Sequence, residues 1–171
     1  AAQDAYIESL KSNNTNWYKH LFRNAFSMNH HISISGGSDK STYYVSAGYT
    51  TDNGMLIHNN YDRYNFTSTV TATPNNVIKF EAGADISYQT TKMPSSYVDP
   101  FTYAYFANPY QKAYNEDGSY AGDDTYFSLG YYNGNSLTVL PKEGFSILRE
   151  LDNNYTDTKF WSNTVRGNAV I

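Results

Sequence analysis

From Asn76 to Tyr88 the side chains alternate. Ile78, Phe80, Ala82, Ala84, Ile86 and Tyr88 share one parity, while Lys79, Glu81, Gly83, Asp85 and Ser87, with Val77 at the turn end, occupy the other, so every charge sits on one side. A period of two is the signature of a strand with unlike faces. The preceding stretch repeats it: Tyr64, Phe66, Val70 and Ala72 alternate with Arg63, Asn65, Thr67, Thr69 and Thr71, Ser68 being the polar member of the apolar set. Pro74-Asn75-Asn76 between them is turn chemistry, so Arg63–Gln89 reads as a hairpin. Upstream, Phe26, Met28, Ile32 and Ile34, interrupted by His30, against Ser27, Asn29, His31, Ser33 and Ser35 predict a strand. Gly36–Lys40 reads as a turn, and Ser41–Thr50, with Tyr43, Val45, Ala47 and Tyr49 on one side, as the next strand. Thr51–Tyr61, with the Asp52-Asn53-Gly54 signal, reads as a loop. These four strands in succession make an antiparallel meander.

The ends of the chain and its middle differ. Ala2–Leu10 has helical spacing, and Thr15 or Asn16 is placed to cap a second short helix through Trp17, Leu21 and Phe22. After Gln89 the alternation stops for roughly sixty residues, beyond ordinary loop length. Within that stretch Asp99-Pro100 pairs an N-cap residue with proline at the first helical position, predicting a short helix over Pro100–Ala107. Asn115-Glu116-Asp117-Gly118 reads as a turn. Alternation returns in Trp161, Val165, Gly167, Ala169 and Ile171, which share a parity with Asn163 opposite Ser162, Thr164, Arg166 and Asn168, a fifth strand. The divisions expected are 1–25 as a lead-in of short helices, 26–90 as the first strands, 91–154 as one long loop, and 155–171 as the next strand. The chain begins without an initiator methionine and stops within an alternating run, so it is expected to be a piece of something longer.

Composition narrows the choice of architecture. Of 171 residues 16% are charged, yet mean hydropathy is −0.63, because Asn, Ser, Thr and Tyr form the polar class. Eighteen tyrosines and nine phenylalanines favour strand. A net charge of −4 provides no basic patch, which argues against nucleic acid as a partner. No cysteine is present, unlike a small stapled secreted domain. A soluble sandwich would bury the apolar face against a second sheet; an outer-membrane barrel would turn it to lipid and the charged face to a lumen. The connections alternate short and long, which places both short turns at one end, as in such barrels. The predicted strand Ile78–Tyr88 has the length, about 9–11 residues, that a tilted strand needs to cross the hydrocarbon layer. Tyrosines near strand ends suit an interfacial girdle. Open sheet edges are intolerable in lipid, so further strands are needed for closure.

Several stretches resemble a known family. Trp17–Ala25, His30–Tyr49 (HxxSISGGSxKSTYYVSxGY), Asn108-Pro109-Tyr110 with Tyr114–Tyr120, and Leu151–Lys159 are similar to the SusC/RagA family of TonB-dependent outer-membrane transporters, at the start of the barrel. The resemblance implies an all-β fold: an antiparallel meander forming part of a 22-stranded transmembrane β-barrel, preceded by a plug and energised through TonB. It implies import of glycans or oligopeptides beneath a SusD-like surface lipoprotein. The partners so implied are the rest of the barrel and its plug, that lipoprotein, TonB and outer-membrane lipid, and the location is the bacterial outer membrane. In those terms residues 1–25 are the end of the plug region and 91–154 an extracellular loop.

No catalytic constellation, metal site or cofactor motif is expected. Glu81 and Asp85 share a face but lie about 13 Å apart at ~3.3 Å per residue, too far for paired carboxylates, and read as a hydrated wall. His30 and His31 point to opposite faces of a strand. Asn115–Gly118 with Asp123-Asp124 lacks the spacing of a calcium loop. The aromatic residues of the long loop carry the functional signal, because sugar C–H faces stack on rings while hydroxyls and amides bond their hydroxyl groups. Tyr103, Tyr105, Phe106, Tyr110, Tyr126, Tyr131 and Tyr132 form that candidate substrate-binding pool. The reading is a fragment of a SusC-like importer acting by gated passage. A soluble tyrosine-rich β-sandwich that binds carbohydrate is the alternative, and an adhesive surface protein a third.

Overall fold

The computed structural model describes residues 2–75, 77–95, 99–123 and 144–170. Its elements are α1 (Ala2–Lys11), α2 (Trp17–Leu21), β1 (Phe26–Ser38), β2 (Ser41–Asn53), β3 (Asn60–Ala72), β4 (Lys79–Pro94), α3 (Pro100–Phe106), α4 (Ile147–Asn153) and β5 (Tyr155–Val170). The chain divides into two compact units. One holds the described residues of 2–24, 55–58 and 94–155; the other holds 25–54, 59–93 and 156–170.

The second unit is a five-stranded sheet in the order β1-β2-β3-β4-β5. Neighbours from β1 to β4 are antiparallel. Asp85 meets Arg166 and Tyr88 meets Trp161, so β5 runs opposite to β4. The antiparallel meander expected from the alternation is what forms. Its strands, however, are longer than the alternation indicated. β1 runs through Gly36 and Gly37, which pair with Tyr43 and Thr42, so the turn shrinks to Asp39-Lys40. The glycines are there for close approach: a Cβ on Gly37 would lie 2.3 Å from the Ser41 carbonyl oxygen, and one on Gly36 would meet the Tyr43 ring. β2 continues to Asn53 and β3 begins at Asn60, leaving a loop of Gly54–Asn59 in place of Thr51–Tyr61. β4 begins at Lys79 and spans 16 residues rather than 11. In its last turns Gln89, Thr90, Thr91 and Lys92 are polar on both faces, so the period-two signal vanishes while the ladder to Asn60–Arg63 goes on.

The first unit is built on short helices that share one apolar core: Trp17, Leu21, Tyr103, Ala104, Ala113, Ile147, Leu148 and Leu151. Asn16 caps α2 by accepting the Lys19 N–H. Helix α3 starts on Asp99 and Pro100, as the cap and proline required, and its last helical residue is Phe106. Helix α4 was not foreseen; its signal is Ile147, Leu148 and Leu151 at i, i+1 and i+4 behind Ser146 at the N-cap position. Helices of five to ten residues are too short to persist alone; for α2, α3 and α4 the common core supplies what their length cannot.

Candidate functional site

The sheet's registers sort its side chains into rows. One face carries Ile32-Ala47-Phe66-Ile86, Ile34-Val45-Ser68-Ala84, Gly36-Tyr43-Val70-Ala82 and Ser38-Ser41-Ala72-Phe80 in consecutive rows. These residues are uncovered: Ile32 is 74% exposed and Ile34 61%, with Phe66, Val70, Phe80 and Ile86 also exposed. In a water-soluble molecule an apolar area this continuous marks a surface meant for another apolar phase or partner. Next to it lies the row His30-Tyr49-Tyr64-Tyr88, extended by Trp161. Its ring centroids are 4.8 Å (Tyr49–Tyr64), 6.4 Å (Tyr64–Tyr88) and 4.4 Å (Tyr88–Trp161) apart. Beyond this belt the same face turns polar, with Met28-Thr51-Asp62-Thr90 and then Phe26-Asn53-Asn60-Lys92.

The other face is hydrophilic throughout β1 to β4. Its rows are His31-Gly48-Asn65-Ser87, Ser33-Ser46-Thr67-Asp85, Ser35-Tyr44-Thr69-Gly83 and Gly37-Thr42-Thr71-Glu81. Asp85 accepts from the Arg166 guanidinium at 2.6 Å, and Glu81 pairs with Lys79 at 2.6 Å. Each carboxylate thus has its own cation, and neither is held against the other. His30 and His31 fall in rows on opposite faces. Phe160, next to Trp161 on β5 and so on the opposite side from it, brings an exposed apolar ring to this face.

In the helical unit the predicted loop residues separate by environment. Tyr103 is fully buried; its ring stands edge-on to Trp17 at 5.0 Å, and its hydroxyl donates to Asp123 Oδ2 at 2.6 Å. Trp17 Nε1 in turn donates to the Asn108 carbonyl at 3.1 Å. Tyr103 is therefore a core residue, with its polar end already engaged. Tyr105 and Phe106 follow it on α3 and face out, 74% and 66% exposed, with rings nearly perpendicular at 4.9 Å. Tyr110, on the turn after the helix, is also exposed. Tyr126, Tyr131 and Tyr132 lie outside the described residues.

Two carboxylates in this unit are fixed by local hydrogen bonds. Asp117 accepts from the Ser119 hydroxyl and N–H, which holds its carboxyl below the usual range. These bonds close the Asn115–Ser119 turn, in which Gly118 takes φ +83. Asp99 accepts first from the Thr102 hydroxyl at 2.6 Å and then from the Thr102 N–H at 3.1 Å, which lowers its pKa likewise. A carboxyl depressed in the folded state stabilises above its unfolded pKa, and that contribution is lost as pH falls through the folded value. Asp99→Ala is expected to cost about 1 kcal/mol, the usual loss for an N-cap. Hydrogen exchange across α3 measures it, and the difference between wild type and variant should shrink below about pH 4.

No family model matches the chain. Three curated relatives are similar to parts of it. The TonB-dependent receptor SusC of Bacteroides thetaiotaomicron is 44% identical over 71 residues, which is 42% of this chain and 7% of that protein. The TonB-dependent receptor P3 of Formosa agariphila is 29% identical over 138 residues, 71% of this chain and 14% of the relative. The TonB-dependent receptor P26 of the same organism is 30% identical over 111 residues, 65% of this chain and 11% of the relative. The chain thus spans only a small part of the length of each relative it matches.

Proposed function

Because this chain is similar to SusC and two further TonB-dependent receptors, we propose that it is the early barrel portion of a SusC-like nutrient importer of the bacterial outer membrane. The observation that carries the reading is the uncovered apolar face of the sheet, bordered by the Tyr49-Tyr64-Tyr88-Trp161 belt and backed by a hydrophilic face. In a bilayer the apolar rows meet acyl chains, the belt lies at the headgroup level, and the hydrophilic face lines the lumen. Unpaired strand edges are costly in lipid. The outer edges of β1 and β5 are therefore met by further strands of the same barrel, which the resemblance puts at 22 in all. A soluble sandwich needs a second sheet over the apolar face; the described strands form one sheet.

Passage, not bond chemistry, is the activity. A glycan or oligopeptide is captured at the outer face by residues of the long loop and a SusD-like lipoprotein. It is released inward when TonB acts on the plug. Tyr105, Phe106 and Tyr110, with Tyr126, Tyr131 and Tyr132, are the rings offered to substrate or lipoprotein.

Partition tests the location: the full-length protein should require detergent for extraction from envelopes. A protein that stayed in the aqueous fraction as a cooperatively melting monomer would support the sandwich instead. Capture is tested separately. Tyr105→Ala or Phe106→Ala should weaken nutrient binding by about five-fold or more, the scale of an interface residue worth over ~1 kcal/mol, with the melting temperature unchanged. Calorimetric titration of purified receptor with the transported nutrient reads it, and unaltered affinity in both variants would remove these rings from the pool.

A further inference from the structure

Both short turns of the sheet border one cavity. It holds about 610 Å³ at the foot of the strands, and its lining includes Asp39, Lys40, Thr73, Asn75, Ile78 and Lys79. Hydrogen bonds fix the turns that form it. Thr73 donates to the Lys40 carbonyl from its N–H at 2.8 Å and from its hydroxyl at 3.3 Å. Asn75 Oδ1 accepts the N–H groups of Val77 and Ile78 at 3.0 and 2.8 Å. Lys79 is already paired with Glu81 at 2.6 Å. Among the described residues neither Asp39 nor Lys40 makes an ion pair, so the cavity offers a free anion beside a free cation. Next along the strands, on the apolar face, lies a depression of about 420 Å³. Val70, Ala72, Phe80, Ala82, Gly167 and Ala169 line it. The two spaces border each other at consecutive residues of three strands: Ala72 and Thr73, Phe80 and Lys79, Ala169 and Val170.

We propose that this end of the sheet holds one phospholipid with a zwitterionic headgroup of the phosphoethanolamine type. The Lys40 ammonium takes the lipid phosphate, the Asp39 carboxylate takes the lipid ammonium, and an acyl chain lies in the apolar depression. The site rests on the outer-membrane reading above, and depth agrees with it. From Tyr88 in the belt to Ile78 is ten positions, about 33 Å at ~3.3 Å per residue. At a strand tilt of about 40° that is about 25 Å across the bilayer, the height of the apolar band in such barrels. Asp39, Lys40 and Lys79 thus stand at the second headgroup level. An anionic headgroup would satisfy Lys40 but set like charge against Asp39, which is costly. A choline headgroup has no N–H to give to Asp39.

Native mass spectrometry of the delipidated full-length protein in detergent tests this, with phosphatidylethanolamine, phosphatidylcholine and phosphatidylglycerol added singly. One phosphatidylethanolamine should be retained about five-fold or more tightly than either other lipid, the weight of one charge at a lipid surface. Asp39→Asn should level ethanolamine with choline, and Lys40→Ala should weaken retention of all three lipids by about five-fold. Gly167→Leu fills the apolar depression from a position where a Cβ meets nothing within 4 Å. It should lower retention while the melting temperature holds. Equal retention of the three lipids by wild type overturns the site. So does an ethanolamine preference that survives in Asp39→Asn, or unchanged retention in Gly167→Leu. Either result in a protein that still needs detergent leaves the membrane reading standing; a protein soluble without detergent removes both.

Discussion

Ile34→Arg is expected, on the lipid-facing assignment proposed above, to destabilise the protein by about 2–4 kcal/mol, the cost of an arginine facing lipid near the bilayer midplane. Ile34 lies on the apolar face, four residues along β1 from the belt position His30, or about 13 Å at ~3.3 Å per residue. Its neighbour Ser33 lies in the row of Ser46, Thr67 and Asp85 on the hydrophilic face. Ser33→Arg should therefore stay within about 0.5 kcal/mol, as surface changes usually do. Reversible denaturant unfolding of full-length protein in lipid vesicles measures both. The contrast between adjacent residues isolates the surrounding phase from strand propensity, since both positions lie in one strand and receive the same side chain. If the apolar face met water, Ile34 is already so exposed that its replacement would also cost little, and equal small effects at the two positions would refute the lipid-facing assignment.

Tyr103→Ala should cost the helical unit about 3–5 kcal/mol, the range for deleting a large buried ring. The loss is local to the core shared by α2, α3 and α4, because Tyr103 touches Trp17 and Phe145 and bonds Asp123. Tyr103→Phe separates packing from polarity. It keeps the ring and strips a donor from the buried Asp123 carboxylate, for about 1–3 kcal/mol. Exchange protection over 99–107 and 147–153 is the readout. Protection in the strands should hold, since Tyr103 and the strands belong to different units. Equal, small losses in both variants would mean that the core does not depend on this ring. Where protection over 99–107 and 147–153 is lost as expected, a loss of the proposed nutrient binding in Tyr103→Ala reports collapse of the unit, in contrast with Tyr105→Ala, where the fold is expected to survive.

The strand signal was clearest where the two faces of the sheet differ in character. Ile78–Tyr88 and Phe26–Ser35 alternate because their side chains fall in turn on the apolar and the hydrophilic face. Gln89–Lys92 and Thr51–Asn53 remain in the ladder but carry polar side chains on both faces, so periodicity could not reveal them. Gly36 and Gly37 looked like a turn; tight packing against Tyr43 and Ser41 uses the same glycines within a strand. Helix α3 was legible because an N-cap and an N1 proline are local signals. Helix α4 carries only three apolar positions behind Ser146, too few to stand out in a long loop.

For the aromatic residues, composition alone ranked Tyr103, Tyr105 and Phe106 together, since each is an aromatic residue of one short helix. Only tertiary packing separates them. Helical geometry turns Tyr103 toward Trp17 and leaves the next positions outside, and the partner that defines the inner side comes from 86 residues earlier in the chain. The same holds for the Tyr49-Tyr64-Tyr88-Trp161 belt and for the meeting of Thr73 with Lys40. Alternation, turn residues and caps are local consequences of backbone geometry, so the sequence by itself determined the central parts of the strands, their two faces and the helices α1, α2 and α3. Which residues from distant segments share a row, a core or a carboxylate depends on register and chain crossing, and those arise only when the whole chain packs.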